Sequence, residues 1–238
     1  MFISRCGQYA YKNIPFKTLA PVLRAGTTLE HTSITSIAAR SFYLLWNPTW
    51  DTTTWDLKTD LMSLNVPFAP LPPSTVVDLI DSTILAHSIS AKHILKRNLY
   101  ELASGSNSNS HQGVHRLPPQ IKTLVETMRG KLQLTWNTIA AVPSDIQCSS
   151  TADSEGSGSC ITKDFASINA RNVVHRDIVH NSWMFQKYWG NPMGGIEALV
   201  ESAERWREKG YCEGCVKVHV EGWNRAKENL WLELDEYV

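Results

Sequence analysis

The stretch Tyr211-Cys212-Glu213-Gly214-Cys215 best indicates how this chain folds, because it places two cysteines at the start of a long helical pattern. Apolar residues follow it at intervals of three, four or seven residues: Val216, Val220, Trp223, Leu230 and Leu234. This spacing puts the apolar side chains on one face of a helix. Proteins use a Cys-x-x-Cys pair in such a place either to bind a metal ion or to pack two thiols.

Similar helical patterns run along most of the chain. The longest begins at Leu117-Pro118-Pro119 and ends before Pro143, with these residues on its apolar face: Ile121, Leu124, Val125, Met128, Leu132, Trp136 and Ile139. Strand-like alternation of apolar and polar residues is scarce. We therefore predict a mainly α protein, an irregular bundle of six to eight helices with little or no β-sheet. Three tryptophans on apolar helix faces should be largely buried: Trp136, Trp223 and Trp231.

Two polar segments, residues 104–116 and 149–159, divide the sequence. We predict an N-terminal helical segment at 1–74, a helical region at 75–148 and a C-terminal helical region with the Cys-x-x-Cys pair at 160–238. Within the last region, residues 165–189 should be helical. A turn at Gly190–Gly195 should precede a further helix at 196–206.

The composition excludes several classes of protein. Lysine plus arginine and aspartate plus glutamate both number 23, so no basic excess favours nucleic acid or an anionic membrane as a partner. No apolar run reaches the roughly 18 residues of a membrane span, and no signal-peptide core is evident. The five cysteines are an odd number in a chain without an export signal, which is typical of a reducing compartment. We expect a nuclear or cytoplasmic protein.

The cysteines supply the candidate site. Cys148 and Cys160 flank a glycine- and serine-rich loop whose flexibility would let them approach Cys212 and Cys215. Zinc in a structural site takes four such ligands, so these four residues are the predicted metal ligands. His219, one helical turn beyond Cys215, and His175 are further ligand candidates. Packing of the thiols without a metal is the alternative.

Motifs for catalysis are missing. The sequence contains no G-x-S-x-G and no H-E-x-x-H, and the segment from Gly190 to Gly195 is not a G-x-G-x-x-G phosphate loop. No catalytic residue is therefore predicted. Four aromatic residues crowd the end of one predicted helix: Trp183, Phe185, Tyr188 and Trp189. They either pack in the core or form an exposed groove for a peptide.

Three blocks of the sequence resemble the C-terminal region of fungal, mostly basidiomycete, BTB/POZ domain-containing proteins. The first runs from Ile84 to Leu102, the second from Arg129 through Pro143 to Cys148, and the third from Asn191 through Cys212-x-x-Cys215 to Leu234. Together they cover roughly residues 75–238. Residues 1–74 are too short for a whole BTB core before these blocks and lack its strand–hairpin pattern, so they resemble a helical remnant at most.

This resemblance implies a non-enzymatic protein–protein interaction module of the fungal BTB-associated type, which presents a helical surface to a partner protein not yet identified. Without the BTB sheet used for dimerisation, the chain should be a monomer or a weak dimer and should not bind a cullin by itself. The alternative is a small helical enzyme with a site in a cleft between residues 75–142 and 160–238. Structural zinc is the one cofactor that the sequence suggests.

Overall fold

The computed structural model describes residues 14–46, 78–105, 113–141, 148, 160–162 and 167–238. These residues form ten α-helices and no strand, which confirms the mainly α prediction. The α-helices are α1 (Phe16–Thr28), α2 (Thr32–Trp46), α3 (Leu79–Ser88), α4 (Lys92–Ser104), α5 (Pro119–Ala140), α6 (Ser167–His175), α7 (Met184–Lys187), α8 (Pro192–Glu201), α9 (Ala203–Glu208) and α10 (Glu213–Glu233). Short 3-10 helices lie at Val114–Arg116 and Leu234–Tyr237, and a π-helix lies at Arg176–His180. None of the helices among these residues has the length and apolar character needed to span a bilayer.

The described residues belong to two compact units. The first unit contains residues 14–46, 78–102, 113–126 and 235–238, and the second contains residues 103–105, 127–141, 148, 160–162 and 167–234. The division falls inside helices α4 and α5.

In the first unit, helices α1 and α2 form a closely packed pair. The rings of Phe16 and Phe42 lie 5.9 Å apart, and both side chains are buried. A side chain at Gly26 would come within 2.8 Å of the Thr35 hydroxyl oxygen, so this glycine allows the two helices to approach. Residues 14–46 therefore form two packed helices and no strand. Residues 1–13 and 47–77 lie outside the described residues.

Helix α2 also packs against helix α4. The Tyr43 ring lies 4.0 Å from the His93 ring, centroid to centroid. The N-terminal pair of helices therefore packs directly on α4 within the first unit. Ile34 and Ile37 of α2 are large apolar residues, but they are exposed. The buried face instead follows Ala38, Ala39 and Phe42 and is rotated away from both isoleucines.

An ion pair between a buried lysine and a partly exposed aspartate holds the end of the chain in the first unit. The Lys96 side chain is fully buried, and its ammonium group donates a hydrogen bond to the Asp235 carboxylate. Burial lowers the pKa of Lys96, and the nearby Asp235 opposes this change. Separating the two groups would leave the Lys96 charge inside the protein without its counter-charge, which is energetically costly. The pair therefore holds the C-terminal 3-10 helix against α4.

In the second unit, Trp136 is the centre of the core. Its side chain is fully buried, and its Nε1–H donates a hydrogen bond of 2.8 Å to the carbonyl oxygen of Phe185. The rings of Phe185 and Tyr188 lie beside it. Trp223 and Trp231 are each 9% exposed, so the predicted burial of all three tryptophans is confirmed.

The expected turn at Gly190–Gly195 is wrong in its second half. Asn191 caps helix α8, which begins at Pro192, by accepting a hydrogen bond from the Gly194 N–H. Gly195 lies inside this helix, and a Cβ there would meet the Trp136 ring at 2.3 Å. The absence of a side chain at Gly195 thus lets the tryptophan pack on the helix, and Gly190, at a φ of 94°, completes the chain reversal before it.

The segment 165–189 is less regular than the continuous helix expected. Helix α6 passes into the π-helix, which closes with a hydrogen bond from Asn181 N–H to Arg176 O. Trp183 then adopts a φ of 63°, which is rare for a bulky residue. Phe185 and Tyr188 face Trp136, whereas Trp183 is 72% exposed and Trp189 is 47% exposed.

Replacing Gly195 with alanine should lower the free energy of unfolding by about 1–3 kcal/mol, because the new methyl group overlaps the Trp136 ring. The matched control is Gly222→Ala in α10, where a Cβ has nothing within 4 Å. That substitution should raise stability by about 0.5–1 kcal/mol, the usual helix preference for alanine. Urea unfolding followed by circular dichroism measures both values. Equal changes in the free energy of unfolding for Gly195→Ala and Gly222→Ala would show that Trp136 does not pack tightly on Gly195.

Acid should weaken the first unit through His93. Burial, followed by the charge of Lys96, lowers the pKa of His93 from 6.5 to about 3, and both ring nitrogens lack a hydrogen-bond partner. Between those pH values the unfolded chain takes up a proton that the folded chain does not, so stability falls as pH falls, by up to about 1.4 kcal/mol per pH unit. His93→Leu should reduce this slope when urea unfolding is measured from pH 7 to pH 4. An unchanged slope would contradict the buried neutral histidine.

Candidate metal centre

The structure brings together the four cysteines that the sequence predicts as ligands. The sulfur atoms of Cys148, Cys160, Cys212 and Cys215 all lie within 4.8 Å of one another. The Cys148 and Cys212 sulfurs are 3.6 Å apart, and the Cys160 and Cys215 sulfurs are 3.8 Å apart. This is the one group of three or more potential metal ligands in the described part of the chain.

The start of helix α10 positions two of the sulfurs. Cys212 is the N-cap residue and Cys215 lies in the first turn, so their side chains share one side of the helix end. Gly210, with a φ of 100°, turns the chain from α9 into this position. Tyr211 N–H then donates to Trp206 O and completes the end of α9. Gly210 therefore supplies the left-handed turn that places the Cys-x-x-Cys pair at the start of α10.

Residues 160–162 lie against the same turn. Ile161 N–H donates a 3.0 Å hydrogen bond to Gly210 O, which fixes Cys160 beside Cys212. The Cys212 N–H in turn donates to the Cys160 sulfur at 3.3 Å. The hydrogen bond between Ile161 and Gly210 joins backbone groups only. The position of Cys160 beside Cys212 therefore depends on backbone conformation as well as on contacts of the thiols.

Thr162 is the site residue that sequence reasoning missed. Its hydroxyl oxygen is 3.1 Å from the Cys160 sulfur and 3.1 Å from the Cys215 sulfur, and the residue is buried. One hydroxyl can therefore contact both buried sulfurs, which is typical of groups that orient metal ligands. Its place two residues after Cys160 is the only sequence signal that could have indicated it.

The thiols differ in their tendency to ionise. Burial opposes ionisation of Cys160, but hydrogen bonds from Thr162 and from the Cys212 backbone outweigh it and lower the pKa of the Cys160 thiol. Burial raises the pKa of the Cys215 thiol, while the Thr162 hydroxyl opposes the change. A metal cation would displace the remaining protons, since only thiolates are ligands for it.

The two histidines considered as ligands belong to an aromatic cluster. The ring of His219 is stacked on that of Trp206 at 5.7 Å and lies 5.3 Å from that of Trp223. The His175 ring lies 6.2 Å from Trp206 on another side. Burial lowers the pKa of both histidines to about 4, with His180 and His219 adding to the effect at His175. Neither histidine joins the four sulfurs, and both serve as ring partners in the core.

Tyr211 connects this aromatic cluster to the sulfurs. Its ring meets that of Trp206 edge-on at 5.3 Å, and burial is the main cause that raises its pKa to about 12. It directly precedes Cys212 in the chain. The apolar core thus reaches the edge of the cysteine group and holds helices α9 and α10 around it.

Four thiolates at this spacing can complete the coordination of one metal ion. In a regular tetrahedron with metal–sulfur bonds of 2.3 Å, the sulfurs are about 3.8 Å apart. The separations of 3.6 and 3.8 Å agree with that value. The protein therefore contains four adjacent cysteines that could hold a metal ion.

No protein-family model, no curated protein and no solved structure matches this chain. The sulfur group and the exposed aromatic side chains of the second unit are therefore the features from which its function can be inferred.

Proposed function

We propose that this chain is a non-enzymatic helical module that is stabilised by zinc and binds a protein partner. The observation that carries the proposal is the convergence of the four sulfurs within 4.8 Å. They come from three separate places in the sequence, namely residue 148, residue 160 and the pair at 212 and 215. Two of the separations, 3.6 Å between Cys148 and Cys212 and 3.8 Å between Cys160 and Cys215, are close to the spacing of a tetrahedral metal site.

Zinc is the metal that suits this ligand set best. Thiolates are soft ligands that favour Zn²⁺ and iron–sulfur clusters over Mg²⁺ or Ca²⁺. The 4.8 Å limit on all the sulfur separations favours a single ion over a cluster, which has several metal atoms between its cysteines. Four protein ligands leave no position for water or substrate, so the ion would be structural and not catalytic.

The ion would connect parts of the chain that lie far apart in the sequence. Cys148 and residues 160–162 lie outside regular helices. A zinc ion would bind them to the N-terminus of α10, whose dipole favours the negative charge of the thiolates. Binding energy of this kind stabilises the fold directly, because the unfolded chain has no formed site.

The surface of the second unit supports a role in protein binding. Trp183 is 72% exposed while its backbone adopts a rare left-handed conformation. Strain of this kind is found where function requires it. Tryptophan is also a preferred anchor at protein interfaces. We propose that Trp183 enters an apolar pocket of the partner, with Trp189 at the edge of the contact.

The resemblance to fungal BTB-associated regions adds the biological setting. We propose a nuclear or cytoplasmic protein that acts as a monomer or weak dimer and depends on other chains for any link to a cullin. The helical pair α1 and α2 supports this, because it occupies sequence where a BTB core would have strands. Light scattering of the purified chain tests the oligomeric state, and a tight dimer would contradict the proposal.

Purified protein should contain close to one zinc per chain, bound by four sulfurs at about 2.3 Å. Elemental analysis gives the stoichiometry, and X-ray absorption gives the ligands and their distances. Removing the ion with a chelator should lower the melting temperature, because the bound ion stabilises only the folded state.

Two variants serve as the comparison. Cys212→Ser should lose most of the zinc, because it removes one of four ligands. Cys6→Ser should keep it, because the four other cysteines already complete the tetrahedron. A purified wild-type protein that binds no zinc, even when refolded with the metal in excess, would contradict the metal centre.

Trp183→Ser should abolish partner capture while leaving the melting temperature within a few degrees of the wild type, because the side chain is mostly exposed. Leu134→Ser is the matched control, since Leu134 is 63% exposed in the same unit. Affinity capture from the native cell, quantified for all three proteins, makes the comparison. Equal capture of every protein by the two variants would show that Trp183 is not the anchor.

A further inference from the structure

The four sulfurs divide into an accessible pair and a buried pair. Cys148 and Cys212 are partly exposed, and their sulfurs are 3.6 Å apart. Cys160 and Cys215 are each 3% exposed, and both contact the Thr162 hydroxyl. A small reagent from solvent therefore reaches the first pair before the second.

We propose that Cys148 and Cys212 are a specific oxidation site, at which hydrogen peroxide or another small peroxide forms a disulfide and opens the metal centre. The release of metal rests on the proposed zinc site, whereas the choice of cysteine pair rests on the exposure of the two residues and on the distance between their sulfurs. Exposure and proximity of two thiols are the conditions for such a site.

The chemistry balances with peroxide as the oxidant. One thiolate attacks a peroxide oxygen, the O–O bond breaks, and a sulfenic acid forms with release of hydroxide, which takes up a proton to become water. The second thiolate then attacks the sulfenic sulfur, the S–S bond forms, and the displaced hydroxide becomes a second water. Two thiolates, one hydrogen peroxide and two protons give one disulfide and two waters, and the two sulfurs lose two electrons in total.

The buried pair is protected in two ways. Its sulfurs are covered by the protein, so peroxide cannot approach them along an open path. Thr162 also contacts both of them, and the Cys212 N–H contacts the Cys160 sulfur, which fixes their positions. Oxidation should therefore stop after one disulfide unless the fold opens.

The consequence for the metal is direct. A disulfide sulfur is a poor ligand, so the zinc would keep two of its four protein ligands and its affinity would fall. Cys148 would remain attached to the N-terminus of α10 by the new bond. Residues 160–162 would lose their link through the ion, and a dithiol reductant in the presence of zinc would restore the starting state.

The test uses the zinc-loaded Cys6→Ser chain, in which the four cysteines of the group are the only thiols. Hydrogen peroxide is added stepwise, a colorimetric chelator measures the zinc released, and peptide mapping without reduction identifies the disulfide. We expect a Cys148–Cys212 disulfide to form together with loss of about one zinc per chain. Addition of a dithiol and zinc should reverse both changes.

The remaining outcomes separate failure of the proposed oxidation site from failure of the proposed metal centre. A disulfide that maps to Cys160 or Cys215, or zinc and thiols that survive peroxide, would overturn this inference. If the chain binds no zinc, the proposed metal centre fails, and the same mapping on the metal-free protein still decides the oxidation site. Cys148→Ser and Cys160→Ser chains, mapped in the metal-free form, give the second measurement. We expect the Cys148→Ser chain to lose the major disulfide and the Cys160→Ser chain to keep the Cys148–Cys212 disulfide.

Discussion

The contact of Trp136 with Gly195 is the constraint on which the second unit depends. The indole lies directly against the backbone of helix α8, so a side chain at that glycine has no space. Its Nε1–H is bonded to Phe185 O, which satisfies the one polar atom of the ring in a fully buried position. Helices α5 and α8 and the segment around α7 are thereby fixed to one another.

From this core, a chain of aromatic contacts leads to the cysteines. Helix α8 is followed at once by α9, where Trp206 is held by a hydrogen bond to Ser202 and contacts the rings of His219 and Tyr211. Tyr211 adjoins Cys212. The positions of the sulfurs thus follow from apolar packing as well as from the turn at Gly210. Such a group can be formed in advance of metal binding, so that an ion would stabilise an existing arrangement.

Much of the fold could be predicted from the sequence, because helices such as 119–140 and 213–233 carry an uninterrupted apolar period. The four cysteines could be grouped because a Cys-x-x-Cys pair with two further cysteines supplies the four ligands of a structural zinc site, with packing of the thiols as the alternative. Thr162 could not be found, since a hydroxyl two residues from a cysteine has no pattern of its own. The role of Gly195 could not be predicted either, because its partner, Trp136, is 59 residues away in the sequence. Only the packed structure shows that the tryptophan ring lies against this glycine.

The same features that would make the metal centre stable also determine its reactivity. A site with four fully buried sulfurs would resist oxidation. A site with four fully exposed sulfurs would gain little stability from packing against the core. Here the Thr162 hydroxyl and the aromatic cluster hold one half of the sulfur group, while Cys148 and Cys212 remain partly exposed. If zinc binds as proposed, a site with this division would strengthen the fold while its thiols are reduced and would lose its ion when peroxide oxidises the partly exposed pair. The exposed Trp183 belongs to the same compact unit, so a change in the stability of that unit would reach the surface proposed to bind the partner.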